Sequence, residues 1–346
     1  MPFSRFLALF LALALAQQPA NPDHDMSHGE QAHTHDGFMQ GRMHHVIAQG
    51  VTLNAHTDAD AHTITLRVGP MSLPASTSHR NMPQPADLIW SIPVTGWLLA
   101  YHPKLVDANG NSVPGVVLHH VAFWNENRSD FLCSNKEEHI FGAGGELTDW
   151  AQIPGFGYRV EKDDHIRIET MIHNPTTASY QGVFLEIVIP YADDATPALV
   201  KNLYPAWMDV ASCGNSGYDL PPGPSRKTGS VLVKYSGILL GVGGHMHDYG
   251  RQLTLQDSSA KDPVAVLPAK TDAQGHLLGM PVVTFFQNGG FPLAAGDKLS
   301  SLLGESLRRE CIGKRAMLCI EVDDDSAVHV NSKLPAAILR VRPQIG

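Results

Sequence analysis

At 346 residues, 43% of them hydrophobic, the chain is long enough for two ordinary domains, each with its own buried core. A formal net charge of -9 and the lack of any cluster of Lys and Arg argue against nucleic acid as a partner, because no phosphate footprint is offered. The 31 glycines and 24 prolines punctuate short Val/Ile/Leu/Thr runs rather than long amphipathic stretches, which favours strands over helices.

In chain order, Arg5 precedes an apolar run from Phe6 to Ala16 that closes on Ala14-Leu15-Ala16, a small-x-small cleavage pattern. Residues 1–16 are therefore expected to be a signal peptide, and the mature protein to be exported, periplasmic or secreted. No other segment approaches the ~18 uninterrupted apolar residues of a membrane span. Residues 17–45 lack a periodic apolar face and carry His24, Met26, His28, His33, His35, Met39, Met43, His44 and His45. This stretch reads as a disordered tail whose imidazoles and thioethers suit copper, so it is a candidate copper donor to the rest of the chain. Cys133, Cys213, Cys311 and Cys319 are expected to pair in an oxidising compartment, with three connectivities open.

From Val46 the pattern predicts strands at Thr63–Val68, Ile89–Leu99, Val116–Trp124, His165–His173 and Val183–Ile189, with a turn at Asn109-Gly110-Asn111. A second set follows at Ser230–Leu240, Gln252–Gln256, Val282–Gln287, Ala316–Val322 and Ala337–Val341. Between the sets lies a Pro-, Asp- and Gly-rich segment. The expected architecture is all-β, with two tandem, jelly-roll-like β-sandwich domains at 46–195 and 196–346.

The 19 histidines include three groups with ligand spacing. His245 and His247, in Gly243-Gly244-His245-Met246-His247-Asp248-Tyr249-Gly250-Arg251, stand at i and i+2 and would share one face of a strand. His119-His120 interrupts Val116–Trp124, a strand apolar on both faces; adjacent side chains point to opposite faces, so joint ligation of one metal needs a twist or a bulge, or else chelation through different ring nitrogens. In the segment Arg167–Pro175, Met171 and His173 share the face opposite Ile166, Ile168 and Ile172. A fourth ligand candidate is Met317, off the apolar stripe of Ala316, Leu318, Ile320 and Val322, with Met280 and Met208 as rivals.

Taken in order over about residues 85–325, these groups resemble the copper type II, ascorbate-dependent monooxygenases, as does Gly145-Glu146-Leu147-Thr148-Asp149-Trp150-Ala151-Gln152-Ile153-Pro154. The resemblance implies two copper ions. His119, His120 and a third ligand, Met171 or His173, would hold one for electron transfer; His245, His247 and Met317 would hold the catalytic one. It further implies hydroxylation of a C–H bond of a small organic substrate by O₂ and ascorbate or another external one-electron reductant. Met171, not His173, falls on the family's ligand position, and Leu318 separates Met317 from Cys319 where the family often has them adjacent. Gly243 stands where the peptide-processing members carry a carboxylate-binding arginine, which argues against a peptide substrate. The alternative from another class is an exported copper-binding or copper-tolerance protein without turnover.

Overall fold

The computed structural model describes residues 46–147, 149–195, 200–213, 223–273, 275–306 and 333–341. The expected signal peptide, the His/Met-rich tail, Met317, Cys311, Cys319 and the strand at Ala316–Val322 lie outside the described residues. The described residues belong to one compact unit.

The described residues are all-β, joined by turns and three short 3₁₀ turns. In chain order the strands are β1 Thr52–Asp58, β2 Thr63–Leu73, β3 Leu88–Ser91, β4 Gly96–Leu98, β5 His102–Val106, β6 Leu118–Ser129 and β7 Glu137–Gly144. Next come β8 Phe156–Val160, β9 His165–Ile172, β10 Tyr180–Asp193, β11 Lys201–Asp209, β12 Pro224–Leu232, β13 Gly237–Gly243 and β14 Gly250–Asp257. The remainder are β15 Ala265–Pro268, β16 Lys270–Thr271, β17 Leu277–Gly279, β18 Val282–Thr284, β19 Phe291–Leu293, β20 Lys298–Ser306 and β21 Lys333–Val341.

Most expected strands form, two break, and Val282–Gln287 is a strand only as far as Thr284, before a 3₁₀ turn at Phe286–Asn288. Ile89–Leu99 splits into β3 and β4 around Ile92-Pro93, because proline cannot donate to a ladder. Ser230–Leu240 splits at Lys234-Tyr235-Ser236, and its two halves join different sheets. The turn at Asn109-Gly110-Asn111 forms, with Gly110 in the left-handed region at φ +84°.

One sandwich stacks the sheet β3-β9-β6-β7 on β1-β2-β10. Its core interleaves Ile64, Leu66 and Val68 from β2 and Leu185, Ile187 and Ile189 from β10 with Val121, Phe123, Ile166 and Ile168. A second core gathers Leu239, Val242, Met246, Leu253, Leu255, Leu267, Leu299 and Leu303 around the sheet β12-β20-β14-β15. The long sheet runs through both, because the parallel pair β8 and β11 carries it from Phe156–Tyr158 onto Lys201–Leu203.

The turn between β6 and β7 reaches into the second core: Leu132 and Cys133 pack there, and Cys133 is bonded to Cys213. That bridge spans 80 residues, a length at which closing the loop restricts the unfolded chain by roughly 4–5 kcal/mol. Replacing both Cys133 and Cys213 by Ser is expected to lower the unfolding free energy by about that amount, measured by urea denaturation.

At the base of β7, Glu138 accepts a 2.5 Å hydrogen bond from the Tyr158 hydroxyl, which itself accepts one from Asn125 Nδ2 at 2.8 Å. Burial pushes the Glu138 carboxyl up to about 7 and that of Asp130, in the adjoining turn, up to about 6. A carboxyl raised above its ordinary value contributes stability that is complete below the unfolded value of 4.5 and is lost as pH rises through about 7. The Glu138→Gln variant should therefore show a flatter dependence of unfolding free energy on pH between about 4.5 and 7 than the parent protein.

Candidate metal centre

His119 and His120 lie at the start of β6, and their placement turns on one register shift. Leu118 pairs with Ile172 while His120 pairs with Met171, so two steps on β6 oppose one step on β9 and His119 is the extra residue of a β-bulge. In an unbroken strand His119 would share the core face with Val121 and Phe123. The bulge gives that place to Leu118, which is buried in the first core, and turns both histidines away from it.

Across the ladder His120 is flanked by Met171 on one side and Gly144 on the other, and directly opposed residues share a face. Met171, 3% exposed, thus stands beside His120. Gly144 leaves the other flank open, and the ring of His245 fills it: a Cβ at Gly144 would lie 2.4 Å from His245 Cε1.

His245 and His247 do not lie on a strand, contrary to expectation. They follow the end of β13, and the chain turns before β14 with Tyr249 in the left-handed region at φ +68°. The alternation still holds, because Met246 between them is 1% exposed within the second core. The side chains then take different partners. The His247 ring comes within 4.5 Å of His119 and 6.2 Å of His120, centroid to centroid. His245 Nδ1 meets Glu146 Oε1 at 2.9 Å, and the same oxygen accepts the Gly144 N–H at 2.9 Å. Burial works against the charge on Glu146, yet the His245 ring beside it holds the carboxyl below the usual range. A carboxylate only accepts, so Nδ1 donates and Nε2 is the ring's other nitrogen; the His245 and His247 rings lie 5.2 Å apart, centroid to centroid.

His173 follows the last residue of β9. Its N–H donates to Val117 O at 3.1 Å, and its neighbour Asn174 exchanges backbone hydrogen bonds with Thr77 at 2.7 and 2.8 Å. That bridge brings in His79, from the turn His79–Asn81, whose ring stacks on His119 at 4.5 Å and 16°. Gln84 fastens the turn to the strand: its Nε2 donates to His79 O and Ile172 O, and its Oε1 accepts from Ile172 N.

Among the described residues two three-histidine groups result, His79/His119/His173 and His119/His120/His247, each with ligand nitrogens all within 4.8 Å of one another. Burial, reinforced by the imidazoles of His247, His120, His79 and His173, holds His119 well below the usual histidine range. Burial also lowers His173, against the backbone hydrogen bond at Val116 and the Asp248 carboxylate. Neutral imidazoles within reach of one another make a donor set that fits copper.

The chain is 28% identical over 201 residues to each of two fungal proteins, "Probable copper-dependent oxygenase clz3" of Cochliobolus lunatus and "Probable copper-dependent oxygenase M1" of a Phoma species. The match covers 54% of this chain and 62% and 50% of theirs, so the chain spans about half to three fifths of the curated relatives it matches. No protein-family model matches the chain.

Of the residues expected from sequence, His119, His120, His173 and His247 enter the two groups, Met171 flanks His120, and His245 is held by Glu146 beside His247. Met208 is a core residue, and Met280 packs on Gly244 next to the His-x-His segment. At Gly243 a Cβ would lie 2.5 Å from the Trp150 ring, so the position is closed to an arginine by packing. His79 and Gln84 were not singled out in the sequence, and Glu146 stood there only as part of the Gly145–Pro154 segment, without a role. His79 and Gln84 occupy a polar loop without periodicity, and only tertiary contact reveals them.

The seat of His245 is testable through Gly144. Gly144→Ala should cost about 1–3 kcal/mol by overpacking, and adding His245→Ala should recover part of that cost, because the ring clash disappears while the 2.8 Å approach to Glu146 Oε2 remains. Urea denaturation of the two single variants and the double variant checks it.

Proposed function

We propose that this protein is a copper-dependent monooxygenase that hydroxylates a C–H bond of a small organic substrate, using O₂ and ascorbate or another external one-electron reductant. The observation that carries the reading is the convergence of five histidines, from the His79 turn, β6, the end of β9 and the segment after β13, into two overlapping donor sets. The likeness to two relatives named as probable copper-dependent oxygenases supports it.

In this reading His119, His120 and His247 hold copper, with the Met171 thioether beside His120 as a soft neighbour, and His245 and Met317 contribute to a second ion. Copper bound by imidazole and thioether supplies one-electron redox chemistry and activates O₂. The chain's own residues do the rest. Glu146 fixes the His245 tautomer so that Nε2 is the free nitrogen, and Gly144 admits that ring against β7. Trp150, packed on Gly243, leaves no room there for the carboxylate-binding arginine of the peptide-processing members of the family that the sequence resembles, which supports this reading. The substrate is accordingly a small molecule rather than a peptide terminus. Export through residues 1–16 and copper collection by the His/Met-rich tail complete the proposal.

The test loads the full chain with copper and supplies ascorbate and ¹⁸O₂ over a panel of phenethylamines and small hydrophobic compounds. Products carrying one labelled oxygen are expected, with turnover lowered by at least about 100-fold in His247→Ala. Tight copper binding with no O₂ consumption above that of free copper would instead assign the protein to copper storage or tolerance.

A further inference from the structure

We infer that His79 is a metal ligand: with His119 and His173 it forms an outer copper position, alternative to the inner position of His119, His120 and His247. The inference rests on the copper reading above and extends it to a residue outside every motif of the sequence.

Three observations carry it. First, the nitrogens of His79, His119 and His173 lie within 4.8 Å of one another, as close a set as the inner one. Metal–nitrogen bonds of about 2.0–2.1 Å are reached from there by modest ring rotation. Second, the position is built rather than incidental. Gln84, 4% exposed, ties the His79 turn to Ile172, and the bridge between Thr77 and Asn174 ties the same loop to the residue after His173. His79 and His173 are thereby clamped on either side of the His119 bulge. Third, the two sets differ in exposure. All three outer histidines are partly exposed, whereas the inner set contains His120 at 4%. The outer position is thus the more exposed of the two.

The two positions share His119. An imidazole that keeps its N–H has one lone pair, so His119 can complete only one of them at a time. One copper ion is thus held by the cluster in either of two three-imidazole arrangements, and losing one arrangement leaves the other.

Copper(I) is titrated anaerobically into the full-length protein in competition with a coloured chelator, and cluster copper is defined as that lost in His119→Ala, or in His119→Gln if the alanine variant does not fold. Circular dichroism confirms folding of each variant. Wild type, His79→Ala and His120→Ala should each retain one cluster copper, and X-ray absorption of His120→Ala should show imidazole coordination. The double variant His79→Ala/His120→Ala should bind it at least about tenfold more weakly than either single variant, falling to the His119→Ala baseline. A double variant that binds as tightly as His120→Ala excludes His79 as a ligand. A wild type with two cluster coppers, one of them lost in His79→Ala, shows simultaneous occupancy and overturns the alternation. Failure of wild type to bind copper above the His119→Ala baseline would sink the copper reading itself.

Discussion

The centre depends on one extra residue in one strand. If β6 ran without its bulge, Leu118 and His119 would exchange faces: a histidine would enter an apolar core beside Val121 and Phe123, and a leucine would face the other histidines. Burying an imidazole there without partners is costly, and so is exposing a core leucine. Both penalties act in the same direction and hold the bulge in place. The bulge in turn gives two adjacent histidines a common side, which a regular pleat forbids. His79, His173 and His247 can then converge on His119 because its ring projects out of the sandwich rather than into it.

Convergence also requires close approach, and the chain provides it by omitting side chains. Gly144 leaves room for the His245 ring beside His120, Gly243 leaves room for Trp150, and Gly244 leaves room for Met280. These contacts join segments far apart in sequence. The Cys133–Cys213 bond and the continuous long sheet hold the same two regions together by other means. Met246 contributes from the opposite side, since its burial in the second core anchors the loop whose two flanking residues are histidines.

Much of this was legible in the sequence, for identifiable reasons. Alternating burial placed most strands, and it placed His245 and His247 on one side of Met246 even though that segment lacks a ladder; side-chain alternation needs extended backbone, not hydrogen-bonded partners. The same rule marked His119-His120 as a place where the pleat conflicts with joint ligation, and a bulge was one of the ways out it left open. What stayed hidden arises in tertiary structure. His79 sits in a polar turn that only the Gln84 and Thr77 hydrogen bonds bring to His173. Glu146 lies in a segment that carries the resemblance, but its partner is set only where Gly144 lets a distant histidine reach it. The break at Lys234-Tyr235-Ser236 likewise depends on which sheet each half joins, which no local pattern records.

The arrangement of charge around the centre shows what kind of ion it suits. The inner and outer sets are entirely imidazole, and the carboxylates nearby are engaged by histidines outside both sets: Glu146 by His245, and Asp272 by His276 at 2.8 Å. A hard divalent ion such as calcium or magnesium calls for the reverse, with oxygen ligands in direct contact. Placing neutral nitrogen donors first avoids fixing negative charge against the ion, and so does not favour its higher oxidation state over its lower one. Meanwhile the carboxylate behind His245 sets which ring nitrogen is available. The Met171 thioether beside His120 weights the balance further toward the reduced, softer ion. A centre of this composition is suited to an ion that must change oxidation state in place, which is the property that separates copper chemistry from the structural binding of a hard cation.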